Sequence, residues 1–317
     1  MNITASIRSA FARRALFALL LVTILGSLPG RTHAQLYVGF PTASVVGEYN
    51  ATTGAVINAS LISGSLTINP SGLAVSGSNL FVTSASGVAI NKYNAATGAV
   101  IQNNFITTNS NTPFGFAISG NNFYVSHPNG GNVGEYNATT GAAIAASLVT
   151  GIPSPSKIAV SGNNLYVVEN TLNQVAEFNA TTGALITSTF ITGLNSPIGI
   201  AILGTSIFVA SNFGNKIGAY DATTGVAINA NFITGLNSPT DVTISGNNLY
   251  VVNKGTSTNT GSVGEYNALT GIAINASLIT GLNFPTSIAV VPEPASAGLL
   301  ALGTAAVFGG CRRRRVK

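Results

Sequence analysis

An internal repeat with a spacing of 42 to 46 residues constrains the fold of this chain more than any other feature. Each copy contains an aromatic residue followed by Asn or Asp, and it continues into a turn of the type Asn-Ala-Thr-Thr-Gly. The six pairs are Tyr49-Asn50, Tyr93-Asn94, Tyr136-Asn137, Phe178-Asn179, Tyr220-Asp221 and Tyr266-Asn267. The Asx side chain can close a turn onto its own backbone, and the glycine adopts a positive φ without steric cost. The period indicates one supersecondary unit repeated along the chain.

Each copy also contains four short runs rich in Val, Ile, Tyr and Phe. In the fourth copy these runs are 157–161, 165–168, 174–178 and 184–191, and Gly/Asn turns separate them. Such runs are typical of strands joined in hairpins. Four antiparallel strands repeated six times predict an all-β, six-bladed β-propeller. An open β-solenoid is the alternative.

The two ends of the repeat region complement each other. Leu36-Tyr37-Val38 matches the second strand of a unit, and Ser287–Val291 matches the first strand. We therefore expect a propeller over residues 35–291, closed by pairing of its N- and C-terminal strands. Such closure removes exposed sheet edges from the first blade.

The repeat text resembles the NHL, YVTN and virginiamycin B lyase-like propellers. The residues that carry this resemblance are 215–225, Asn-Lys-Ile-Gly-Ala-Tyr-Asp-Ala-Thr-Thr-Gly, together with Pro-x-x-Ile-Ala-Val before the innermost strand. These superfamilies include lyases, hydrolases, ligand-binding proteins and scaffolds, so the fold does not imply one activity. The lyase-like enzymes use more than one histidine and a metal-binding acid, whereas His127 is the only histidine between residues 35 and 291.

Residues 1–34 have the pattern of a secretory signal peptide. Arg8, Arg13 and Arg14 precede an apolar run over 15–25, and Thr32-His33-Ala34 places small residues before a cut at Gln35. An uncleaved membrane anchor is the alternative, although the run is short for a spanning helix.

The C-terminal segment, 292–317, has three parts in a fixed order. Pro292-Glu293-Pro294 is followed by an apolar stretch over 295–310, which predicts a transmembrane helix, and then by Cys311. The final part is the arginine cluster Arg312, Arg313, Arg314 and Arg315, which favours a cytoplasmic end. A plain C-terminal anchor is the alternative.

This tail resembles the PEP-CTERM sorting signal of Gram-negative bacteria. The resemblance implies that exosortase and signal peptidase process the chain during export. It also implies transient anchoring in the inner membrane, followed by release to the cell surface or into extracellular polysaccharide.

Charge excludes a nucleic-acid partner. The net charge of +5 comes from the two ends of the chain, because residues 35–291 contain four bases, seven acids and no arginine. Phosphate binding requires clustered Lys and Arg. The region has no phosphate loop, nucleophile elbow or calcium loop, so we expect no cofactor and no metal.

Residues that break the repeat pattern near the channel are the candidate site. One ring position, the second residue after the loop proline, reads Gly72, Gly115, Lys157, Gly199, Asp241 and Ser287. A second ring position, two residues past the second-strand Tyr/Phe-Val pair, reads Phe40, Ser84, His127, Glu169, Ser211 and Asn253.

These positions allow two interpretations. In the functional one, His127 and Glu169 form a general base and its orienting partner, and Lys157, Asp241 and Asn253 hold a polar ligand. In the simpler one, which we favour, all are solvated loop residues and no catalytic group is present.

The glutamates that recur before the aromatic residue are Glu48, Glu135, Glu177 and Glu265. We expect them on the outer surface, where they aid solubility; a ring of weak cation sites is the alternative. The predicted function is a non-enzymatic surface or matrix protein associated with exopolysaccharide. The alternatives are a channel-mouth lyase or hydrolase acting on a polysaccharide or lactone, and a protein-interaction or ligand-sensing propeller.

Overall fold

A computed structural model describes residues 34–64, 69–84, 88–108 and 112–291. Several predicted features lie outside the described residues. They are the signal sequence up to residue 33, the Pro292-Glu293-Pro294 motif, the apolar stretch for which a transmembrane helix is predicted, and the terminal arginines. Within the described ranges, no helix is long and apolar enough to cross a membrane.

The described residues form six four-stranded antiparallel sheets. Blade 1 contains β1 (Gln35–Phe40), β2 (Val45–Asn50), β3 (Val56–Ile62) and the last strand, β24 (Ser287–Val291). Blade 2 contains β4 (Leu73–Ser76), β5 (Asn79–Ser84), β6 (Ala89–Asn94) and β7 (Val100–Thr107). Blade 3 contains β8 (Phe116–Ser119), β9 (Asn122–His127), β10 (Asn132–Asn137) and β11 (Ala143–Thr150).

The second half of the ring repeats this arrangement. Blade 4 contains β12 (Pro155–Ser161), β13 (Asn164–Glu169), β14 (Gln174–Asn179) and β15 (Leu185–Ile191). Blade 5 contains β16 (Pro197–Leu203), β17 (Ser206–Ser211), β18 (Lys216–Asp221) and β19 (Ala227–Ile233). Blade 6 contains β20 (Pro239–Ser245), β21 (Asn248–Asn253), β22 (Gly261–Asn267) and β23 (Ala273–Leu282).

The predicted closure is confirmed. Strand β1 pairs with β24, with Leu36 opposite Val290 and Val38 opposite Ile288. The innermost strands β24, β4, β8, β12, β16 and β20 contact one another in a closed ring. The described residues therefore form an all-β, six-bladed β-propeller, and the solenoid alternative is wrong.

The Asx turn forms as the sequence predicts, and it also joins neighbouring blades. In blade 3, Asn137 Oδ1 accepts hydrogen bonds of 2.9 Å from the backbone N–H groups of Thr139 and Thr140. Gly141 has φ +74°, and a Cβ added there would lie 1.8 Å from the carbonyl oxygen of Phe105 in blade 2. The glycine is required both by its conformation and by the close approach of the preceding blade.

The expectation that the recurring glutamates lie on the outer surface is wrong, because all four are buried. Each lies opposite a second-strand tyrosine, and the pairs are Tyr37–Glu48, Tyr124–Glu135, Tyr166–Glu177 and Tyr250–Glu265. In blade 6, Glu265 Oε1 accepts from Asn248 Nδ2 at 2.7 Å and from the Tyr250 hydroxyl at 3.2 Å. The carboxylates therefore satisfy polar groups inside the blades.

Candidate functional site

The first predicted ring position places Lys157 and Asp241 at the centre of the propeller. Lys157 Nζ lies 3.0 Å from Asp241 Oδ2 and donates to the Ser71 carbonyl oxygen at 2.6 Å. The two side chains are only 8% and 7% exposed. Lys157 belongs to blade 4, Asp241 to blade 6, and Ser71 to the segment that leads into blade 2, so this contact crosses the channel.

Backbone donors complete the surroundings of Asp241. Its Oδ2 also accepts from the Ile288 N–H at 3.0 Å, and its Oδ1 accepts from the Val242 N–H at 3.0 Å. Burial raises the pKa of Asp241, and the attraction of Lys157 opposes that rise. The carboxylate and the ammonium together tie four blades around the channel.

Each of the two charged residues has a glycine of the preceding blade packed against its backbone, because adjacent innermost strands approach closely. A Cβ at Gly115 would lie 2.7 Å from the Lys157 Cα, and one at Gly199 would lie 2.8 Å from the Asp241 Cα. Real Cβ atoms do not approach this closely, so the small residues and the ion pair share the same packed layer.

Our preferred interpretation of the ring residues as solvated loop residues is wrong. His127, Lys157, Glu169, Asp241 and Asn253 are all buried. Lys157 and Asp241 lie within the innermost strands β12 and β20, and the other three residues are the last residues of β9, β13 and β21. Asn253 illustrates this, because its Nδ2 donates to Ser262 Oγ at 3.2 Å within blade 6.

The predicted base and orienting residue lie at the ends of equivalent strands in adjacent blades. His127 ends β9 opposite Asn132, and Glu169 ends β13 opposite Gln174. Glu169 Oε2 accepts from Gln174 Nε2 at 2.5 Å. Burial raises the pKa of Glu169, and this hydrogen bond partly offsets the rise.

Glu169 lines a groove between blades rather than the channel mouth. The groove has a volume of about 400 Å³, and its walls include Pro153, Leu172 and Leu185. His127 is not among the residues that line this groove. The groove therefore does not bring the two predicted groups around one cavity.

The channel mouth is lined by residues that the sequence analysis missed. A cavity of about 320 Å³ there is bounded by Pro41, Asn69, Ser71, Thr112, Phe114, Ile198, Thr240, Lys254 and Thr286. Five of these residues directly follow a loop proline, namely Ser71, Phe114, Ile198, Thr240 and Thr286. The first ring position predicted from the sequence is the second residue after the proline, and it lies in the packed layer. Successive side chains of a strand point to opposite faces, so the residue directly after the proline and the next residue have different surroundings. This alternation is the signal that could have identified the mouth.

Among the residues that the structure describes, no three His, Cys, Asp or Glu side chains are grouped in a way that could hold a metal ion.

A family model described as the outer membrane protein assembly factor BamB, PQQ_2, matches residues 42–271. The chain belongs to the PQQ_2 family. This match covers most of the ring, and it agrees with the predicted propeller repeat. No curated protein matches the chain in sequence.

A second family model, the PEP-CTERM protein-sorting motif, matches residues 290–315 of this PQQ_2 chain. The predicted sorting signal is therefore confirmed. The motif indicates an exported protein that is processed by an exosortase.

Solved structures agree with the fold. A protein of unknown function from Bacteroides caccae has 15% identity and a TM-score of 0.64, over 82% of this chain and 99% of that chain. A chain of the nidogen/laminin complex has 14% identity and a TM-score of 0.61, over 81% of this chain and 98% of that chain. At these identities the likeness shows the fold alone.

Proposed function

We propose that this PQQ_2 propeller is a non-enzymatic protein of the cell surface or extracellular matrix, associated with exopolysaccharide. Signal peptidase would remove residues 1–34, and the apolar helix and arginines of 292–317 would hold the precursor in the inner membrane. Exosortase would then cut near Pro292-Glu293-Pro294 and release the propeller.

The distribution of charge carries this proposal. Seven of the eleven acids and bases between residues 35 and 291 are buried, namely Glu48, Glu135, Lys157, Glu169, Glu177, Asp241 and Glu265. Charged side chains in ordinary globular proteins lie mostly at the surface. The exterior of this propeller is therefore formed mainly by Asn, Thr, Ser, Gly and apolar residues, and it carries few charges.

Such an exterior suits contact with a neutral polysaccharide. Uncharged amide and hydroxyl groups form hydrogen bonds with sugars, and these bonds are little affected by salt. The Lys157–Asp241 pair supports a structural role for the most unusual charged residues, because both groups already bind partners within the ring.

Two measurements test the proposal. Fractionation of cells that express the triple variant Pro292→Ala/Glu293→Ala/Pro294→Ala should show the protein retained in the inner membrane, whereas the parent chain reaches the exterior. Binding of the parent chain to neutral exopolysaccharide should persist when the salt concentration is raised. Unchanged fractionation would contradict the sorting proposal, and absence of glycan binding would contradict the matrix proposal.

The mouth cavity favours one second candidate, a ligand-binding or enzymatic channel mouth. Phe114 and Ile198 offer apolar contact, and Lys254 is an exposed cation at the same cavity. A small polysaccharide fragment or lactone with an acidic group would fit this combination. The variant Lys254→Ala should then lose ligand binding. A protein-interaction role is a third candidate, in line with the assembly-factor name of the family.

A further inference from the structure

Glu169 has few partners for a buried carboxylate. The residue is only 5% exposed, and its one hydrogen bond within the described residues is the 2.5 Å bond from Gln174 Nε2 to Oε2. The Asp241 carboxylate, by contrast, is surrounded by the Lys157 ammonium and two backbone N–H groups. Buried carboxylates are normally paired with a cation or fully hydrogen-bonded. Glu169 Oε1 therefore remains available as an acceptor.

The surroundings of Glu169 supply no positive charge. Gln174 Nε2 also donates to the Ser188 carbonyl oxygen at 2.9 Å, so both of its N–H groups are used. None of the four lysines between residues 35 and 291 is among the described residues that line the groove. Burial raises the pKa of Glu169, and a cation beside the carboxylate would oppose that rise. The groove is therefore complementary to a cationic group.

The propeller fold does not require an acid at this place. The last residue of the equivalent strand in the other five blades is Phe40, Ser84, His127, Ser211 or Asn253. Blade 5 has Lys216 where blade 4 has Gln174, so its third strand begins with the opposite charge. Residues that build the scaffold recur from blade to blade, whereas Glu169 and Gln174 occur together in blade 4. A ligand explains this departure from the repeat better than packing does.

The walls of the groove offer apolar contact. Leu172 and Leu185 are 50% and 57% exposed, and Pro153 is also exposed. Thr150 and Ser188 add hydroxyl groups to the same groove, whose volume of about 400 Å³ is typical of small-molecule sites. One buried carboxylate beside exposed aliphatic side chains suits a ligand that has one cationic group and an apolar body.

We propose that this groove between blades 3 and 4 binds a small alkylammonium ligand, with the ammonium beside Glu169 and the apolar body against Leu172 and Leu185. The three N–H donors of a primary ammonium can reach the carboxylate and the neighbouring hydroxyl groups together. An amino sugar carries the same cation on a hydroxylated ring, and it would gain less from the aliphatic walls. This inference goes beyond the proposed function and does not depend on polysaccharide binding or on exosortase processing.

Isothermal titration calorimetry of the full chain with n-hexylamine at neutral pH and low salt tests the inference. The parent chain should bind n-hexylamine at least 10-fold more tightly than 1-hexanol, which lacks the charge, or hexanoate, which reverses it. Glucosamine tests the apolar body, and it should bind more weakly than n-hexylamine. Glucosamine binding as tight as that of n-hexylamine would contradict the assigned ligand class.

Two variants locate the binding site. Glu169→Gln keeps the size of the side chain and should weaken n-hexylamine binding at least 10-fold. Leu172→Ser changes only an exposed wall of the groove and should weaken binding severalfold, so it tests the site without disturbing a buried residue.

The matched controls alter equivalent side chains outside the groove. Glu177→Gln changes a buried glutamate of the same blade, and Leu269→Ser changes an exposed leucine; neither residue lines the groove. Both controls should bind n-hexylamine like the parent chain, and circular dichroism should show that all variants are folded. Absence of n-hexylamine binding by the parent chain, or unchanged affinity in Glu169→Gln, would overturn the inference.

Discussion

The Lys157 ammonium and the Asp241 carboxylate lie 3.0 Å apart and join blades that are not neighbours in the ring. Removal of one partner leaves the other as an uncompensated charge in a packed layer. Lys157→Met and Asp241→Asn should therefore each lower the free energy of unfolding by about 3 to 5 kcal/mol.

The double variant Lys157→Met/Asp241→Asn should lose clearly less than the sum of the two single losses, because no unpaired charge remains. Urea unfolding followed by far-UV circular dichroism measures all three values, which is convenient for a chain without Trp. If the loss of the double variant equals the sum of the two single losses to within about 0.5 kcal/mol, the coupling between Lys157 and Asp241 is contradicted.

The propeller should be more stable at mildly acidic pH than at alkaline pH. Burial raises the pKa values of Glu135, Glu169, Glu177 and Glu265. In the folded state these groups bind protons more readily than in the unfolded state, so their contribution to stability is complete below the ordinary glutamate pKa. That contribution is lost as the pH rises through the raised values.

The melting temperature should accordingly be higher at pH 5 than at pH 8. The triple variant Glu135→Gln/Glu177→Gln/Glu265→Gln should flatten this dependence. Asp221→Asn is the control, because the pKa of Asp221 is lowered by hydrogen bonds from Thr224 and Thr223 and affects stability only at more acidic pH. A melting temperature that rises between these pH values would contradict the prediction.

Substitution of a turn glycine by Ala should destabilise the propeller much more than the same substitution of a hairpin glycine. Both Gly141 and Gly120 have positive φ, but a Cβ at Gly120 would meet open space while one at Gly141 would meet the Phe105 carbonyl. Gly120→Ala should cost about 1 to 2 kcal/mol for the left-handed conformation alone. Gly141→Ala should cost more than about 3 kcal/mol, since the adjacent blade must also move. Equal losses in chemical unfolding would show that the approach of blade 2 is unimportant.

The tyrosine–glutamate pairs should be transferable between blades. Blade 5 has Phe208 opposite Ala219 where four other blades have a tyrosine opposite a glutamate. Ala219→Glu alone should destabilise by about 1 to 3 kcal/mol, because it buries a carboxylate without its hydroxyl partner. Adding Phe208→Tyr should recover about 1 kcal/mol or more, as measured by a double-mutant cycle. No recovery would mean that the pairing in the other blades is incidental.

The blade count and the ring closure were predictable because each depends on local chemistry repeated many times. Asx turns, positive-φ glycines and matching half-units at Leu36 and Ser287 leave few alternative folds. The burial of the glutamates was not predicted. Alternation of side chains along β2 or β10 indicates that the strand has two faces, but it does not show that both faces are covered by other blades. In a propeller both faces of a blade pack against neighbours, and the third-strand glutamates are therefore enclosed.

One signal for that burial was present in the sequence. Where the third strand has Lys92 or Ala219 in place of glutamate, the second strand has Phe81 or Phe208 in place of tyrosine. Lys92 Nζ accordingly lies 5.9 Å from the centre of the Phe81 ring. The predicted ring position is one residue away from the mouth for a similar reason, since in five blades the residue that follows the loop proline lines the mouth and the next one lies in the packed layer.

The intact mass of the protein collected from the cell exterior tests the central claim most directly, because one spectrum locates both ends of the mature chain. The account predicts a propeller that begins at Gln35 and ends near Pro292-Glu293-Pro294, without the apolar tail and arginines. A mass equal to that of the full chain, or protein found only inside the cell, would contradict it.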